Sequence, residues 1–80
     1  MSTEIRIKAE EAKRLKNDPA FKGFMASVRE TQISVFMDSE ADDVSAREEA
    51  HAMVRALNQI EVNLDAAIAA ETLLDRKQRK

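Results

Sequence analysis

The sequence predicts an all-α chain: a kinked helical hairpin of three helices at about residues 3–16, 19–37 and 46–76, with the long third helix antiparallel to the first two. Three observations predict it. From Ser45 to about Arg76, apolar residues recur at steps of four and three: Ala46, Ala50, Met53, Leu57, Ile60, Leu64 and Ala67, then Leu74 beyond an interrupting Glu71. That spacing keeps one stripe on one side of a helix. Asn17-Asp18-Pro19 stops one helix and starts another. One Gly, one Pro, three Phe and no Trp or Tyr leave too few turn residues and aromatics for a sheet protein.

Taken in order, Thr3 and Glu4 suit a helix start, with the acid near the positive end of the helix dipole. Ile5, Ala9, Ala12 and Leu15 form a narrow apolar face, and Lys13, Arg14 and Lys16 occupy the last turn. A helix this short is marginal alone and must dock on something. Asn17 tolerates the left-handed conformation that closes a helix, Asp18 is a favoured N-cap, and Pro19 fits the first helical position. The second helix carries a main stripe of Phe21, Phe24, Met25, Val28 and Val35. Thr31 and Gln32 leave a polar gap in it, and Ile33, Phe36 and Met37 widen it near the end. Gly23 sits mid-helix at a cost of about 1 kcal/mol against Ala, which close approach by another backbone would explain.

The short acidic segment from Asp38 to Val44 joins the second helix to the third. Ser45 and Glu48 have capping-box spacing and place the start of the third helix there. At 1.5 Å per residue its thirty or so residues span roughly 45 Å, a scaffold dimension. The whole chain, 1–80, reads as a single helical domain ending in a basic, frayed tail at 76–80.

Charge is unevenly placed although the formal net charge is only −2. Asp38, Glu40, Asp42, Asp43, Glu48 and Glu49 crowd one end of the hairpin. Arg6 to Lys16 and the tail residues Arg76, Lys77, Arg79 and Lys80 make the other end basic. Four cations ending a helix complement its dipole and also offer phosphate a modest, salt-sensitive, sequence-independent contact. No aromatic residue stands among them to stack on a base. Nucleic acid is therefore expected to bind weakly and non-specifically.

Catalytic chemistry lacks its parts. There is no cysteine and a single histidine, His51, so neither thiolate metal sites nor a His-based ligand set is present. No nucleophile motif, glycine-rich phosphate loop or zinc pattern occurs. The acids at Asp38, Glu40, Asp42 and Asp43 lack the glycine and terminal glutamate of a calcium loop, and read as a solvated loop supplying N-cap and first-turn acids. The expectation is no enzyme, no cofactor and no metal. No stretch is apolar enough to enter a membrane as a span, and the amino terminus lacks a signal-peptide run, so the expected place is the cytosol or the interior of an assembly built there.

Ala12-Lys13-Arg14-Leu15-Lys16-Asn17-Asp18-Pro19-Ala20-Phe21, followed by Ala46-Arg47-Glu48-Glu49 and the segment Leu57 to Leu64, resembles a group of small helical proteins encoded by tailed bacteriophages. In that group an A-x-R-L-x-N-D-x-x-F stretch precedes a helix, and a charged turn leads into a long second one. The resemblance covers most of the chain but not its basic tail. It implies a context, a virion component or assembly factor in the host cytoplasm, and carries over no active residues.

Interaction with other helices is then the expected activity. A second stripe, Val62, Ala66, Ala69 and Leu73, lies on a different face of the third helix from Leu64, Ala67 and Leu74. A helix apolar on two sides must be covered on two sides. The first helix covers one, leaving the second stripe for another subunit or another structural protein.

Overall fold

The computed structural model describes residues 2–78, and among these the only regular elements are three helices: α1 (Ser2–Asn17), α2 (Pro19–Asp38) and α3 (Val44–Gln78). Asp18 alone separates α1 from α2. Its backbone is extended (φ −72°, ψ 120°), and its carboxylate accepts from the backbone N–H groups of Ala20 and Phe21 at 2.7 and 3.2 Å. Those are two of the donors that a helix start leaves without an internal partner. Asn17 closes α1 differently from the sequence expectation. No described residue has positive φ, so no left-handed turn forms. Asn17 stays helical, and its Nδ2 donates to the Lys13 carbonyl at 2.9 Å.

The start of α3 also differs. The helix begins at Val44, with the Arg47 N–H donating back to the Asp43 carbonyl at 3.4 Å. Ser45 therefore lies inside the first turn and is not the cap, and that turn contains no acid. Arg47 explains the shift. Its guanidinium donates to the carbonyls of Glu40 and Ala41 at 2.6 and 3.1 Å, so it gathers the loop carbonyls over the first turn. The Ser39 hydroxyl meanwhile donates to the Phe36 carbonyl at 2.9 Å and closes α2.

Both α1 and α2 pack on α3, and they barely meet each other. The molecule measures 59 × 22 × 16 Å. A 35-residue helix is about 52 Å long and a helix with its side chains about 10 Å wide, so the rod is one long helix in length and about two in breadth. Interhelix partners run in opposite order along the sequence: Arg6 with Asp75, Lys13 with Glu71, Lys16 with Asp65, Arg29 with Glu61.

So thin a body hides little. The buried apolar residues are Ala9, Ala12, Ala50 and Leu57, and α2 contributes none. On α3 the centre of the contact is the line Ala50, Leu57, Leu64, which the stripe contains, continued by Glu71, which the stripe reading treats as an interruption. Met53 and Ile60 are exposed, whereas Val54 and Ile68, one turn-step to the other side, are half-buried. Leu15 is likewise exposed, and Lys16 takes its place beside α3. In α2 the seam runs through Phe21, Met25, Val28 and Gln32, while Phe24 and Val35 fall outside it. The polar gap at Gln32 is thus part of the seam.

Gly23 meets nothing: a β-carbon placed there has no atom within 4 Å, so no backbone of this chain approaches it closely. Gly23→Ala should stabilise the protein by about 1 kcal/mol through helix propensity alone, read from the urea midpoint. Asp18→Ala, which orphans the two N–H groups it serves, should cost about 1 kcal/mol in the same assay.

Candidate functional site

The side chains that do the joining are charged. Arg6 donates to Asp75 at 2.8 Å and to Gln78 Oε1 at 3.0 Å, and Arg29 donates to Asn58 at 2.8 Å and to Glu61 at 3.0 Å. Lys16 pairs with Asp65 between them. Glu71, which interrupts the stripe in sequence, is the one charged residue buried among those described, its side chain only 11% exposed. It accepts from Lys13 Nζ at 2.6 Å and lies 3.8 Å from the Arg6 guanidinium. Two cations reaching in from α1 are what allow a carboxylate to occupy the centre of an apolar line. The sequence signal for this was present in the heptad step from Leu64 to Glu71, with bases on α1 at matching intervals. A reading that seeks apolar residues passes over it.

The hydrogen bond to Glu71, then that to Glu10, raises the Lys13 pKa above its ordinary 10.5, and their negative charges act in the same direction. Partial desolvation opposes them.

Val62, Ala66, Ala69 and Leu73 are all exposed, Val62 and Leu73 each at 56%. Neither α1 nor α2 covers them. Arg76 and Lys77 are exposed at the end of α3, whereas Arg79 and Lys80 lie outside the described residues. The tail is tied in at Gln78 through Arg6. Three of the five bases of α1, namely Arg6, Lys13 and Lys16, are engaged with acids of α3. His51 is exposed. Among the described residues no three His, Cys, Asp or Glu side chains come together as a cation site, so Asp38, Glu40, Asp42 and Asp43 stay a dispersed loop. No helix of these residues is long and apolar enough to cross a membrane.

An open groove lies between α2 and α3, floored by Phe21, Met25, Ile33 and Leu64 and edged by Lys22 and Asp65. Its walls are alkyl and aromatic groups under a charged rim, and such a groove can seat a side chain.

Comparison with family models, curated proteins and solved structures finds no match.

The raised Lys13 pKa fixes a pH dependence. A cation whose pKa is raised by folding stabilises the fold fully below the unfolded value and ceases to do so once pH passes the folded one. Melting temperature should therefore fall as pH rises past the ordinary lysine value of about 10.5, and Glu71→Gln should be less stable at pH 7 with a shallower alkaline fall. Equal slopes in parent and variant would mean that Glu71 does not hold the proton on Lys13.

Proposed function

We propose that the chain is a small structural or assembly protein that works through protein–protein contacts, built as an antiparallel helical hairpin kinked at Asp18. The observation that carries this reading is surface. The accessible area is 6317 Å² for 9.0 kDa. A compact monomer of that mass exposes about 4,900 Å², so roughly 1,500 Å² is in excess. The radius of gyration, 17.3 Å against about 12 Å for a compact chain of this length, agrees with that excess. Much of the surplus is apolar. Phe24 is 73% exposed, and Val62 and Leu73 stand uncovered on α3. Surface of this kind is what an assembling subunit presents to its neighbours.

The resemblance to phage-encoded helical proteins supplies the context: a virion component or an assembly factor, made in the host cytoplasm. The alternative, a nucleic-acid accessory protein gripping phosphate with its basic end, draws on the exposed Arg76 and Lys77. It is weakened by the engagement of Arg6, Lys13 and Lys16 in ion pairs. Fluorescence anisotropy with a labelled DNA duplex separates the two. The assembly reading expects binding that vanishes by physiological salt, since few phosphates are neutralised. Micromolar or tighter binding that survives there would overturn it in favour of the accessory role.

A further inference from the structure

The two sides of the helical seam differ in charge. Taking Ala50, Leu57, Leu64 and Glu71 as the centre line of α3, residues four positions on (Val54, Glu61, Ile68, Asp75) flank it on one side. Residues three positions on (Met53, Ile60, Ala67, Leu74) flank it on the other. The first flank, with Asn58 and Asp65 beside it, takes the ion pairs from Arg6, Lys16 and Arg29. The second flank takes none. From Met53 to Leu74 it has no charged residue, and neither does the row behind it, Ala56, Asn63 and Ala70.

The matching side of α2 is equally bare. Arg29 lies four positions after Met25 and faces the charged flank, which puts Val28 and Val35 on the opposite one, with Phe24 and Thr31 behind them. Leu15 continues this row into α1. In a chain that is 35% charged, the face joining α2 to the first half of α3 therefore has no charge; beyond it Ala67, Ala70 and Leu74 are half-buried along α1, whose adjoining side carries Lys8 and Glu11 beside Leu15. On the uncharged face, Phe24, Val35, Met53 and Ile60 are all exposed.

We propose that this face is the seat of a second copy of the chain, stacked layer on layer into a dimer that wears its ion pairs on the outside. The proposal deepens the assembly reading and rests on it: it assigns self-association to this face and leaves the Val62 stripe for a different protein. Two features favour a second copy. An uncharged face can meet itself without like charges opposing, which the ion-paired face and the basic tip cannot. The area also fits. The excess of about 1,500 Å² per chain, which the Val62 stripe shares, exceeds the roughly 800 Å² that each partner contributes to a standard interface. A single extra helix from another protein would leave much of the face bare.

Sedimentation equilibrium of the full chain tests it. The parent should sediment at about 18 kDa, twice its 9.0 kDa, at both low and high salt. Phe24→Glu and Ile60→Glu should sediment as monomers, and Val62→Glu, turned well away from the face, should remain dimeric. Should the Glu variants lose their helical circular dichroism, cross-linking decides without disturbing the contact. The parent has no cysteine, so Ala56→Cys and Thr31→Cys each offer one thiol. A short bis-maleimide should link either variant to its own copy in high yield, and Lys22→Cys, on the charged flank, should stay unlinked. A monomeric parent, or cross-linking through Lys22→Cys alone, overturns the proposal. Dissociation by Val62→Glu and not by Phe24→Glu overturns it too, while leaving the assembly reading intact.

Discussion

A rod only two helices broad has no interior, and everything else about this chain follows from that constraint. Residues on a two-helix seam are covered from one direction alone, so full burial requires side chains short enough to vanish between the backbones. Ala9, Ala12 and Ala50 meet that requirement, and Leu57 is the one larger residue that does. The apolar area removed from water is correspondingly small, and at about 25 cal/mol per Å² so is the stabilisation it supplies. Packing this sparse does not by itself discriminate one sliding register of two helices from another. Hydrogen-bonded ion pairs at fixed intervals do, because a slip leaves the Glu71 carboxylate buried without its partners, at several kcal/mol.

That division of labour bears on what could be read from the sequence. The all-helical class, the three elements and the break at Asp18-Pro19 were legible because caps, proline and heptad spacing act locally. So was the centre line Ala50, Leu57, Leu64. The flanks were not. A stripe is found by gathering apolar residues, and it gathered Met53 and Ile60, which the structure leaves exposed. Burial in a thin rod follows geometry, and geometry placed Lys16 and Gln32 at the seam and left Leu15 and Phe24 off it. Arg47 was missed for a related reason. Its partners are backbone carbonyls of the loop, and a carbonyl has no letter in a sequence.

The apolar residues that the rod leaves over are a product of the same geometry. A helix covered from one side only leaves its remaining apolar positions to solvent, as α2 does with Phe24 and α3 with Val62. The second stripe through Val62, Ala66, Ala69 and Leu73 was legible as a pattern, and its exposure agrees with the reading of α3 as apolar on more than one side. The uncharged face is harder to see in the sequence because it is shared between α2 and α3. Only the ion pair from Arg29 to Glu61 fixes which flank of one helix continues which flank of the other.

The ladder also ranks its rungs by the cost of closing them. The pairs close loops of increasing length: Arg29 and Glu61 are 32 residues apart, Lys16 and Asp65 are 49, Lys13 and Glu71 are 58, and Arg6 and Asp75 are 69. Each rung formed near the Arg47-bound turn shortens the chain left to be closed by the next, so closure from the acidic turn outward is the entropically cheaper order. The entropy of closure rises only slowly with length, by about 0.7 kcal/mol between the first rung and the last if each closed alone. Zipped in order, the later rungs cost less still. By the same count, the junction of the start of α1 with the end of α3 is the costliest rung to close on its own.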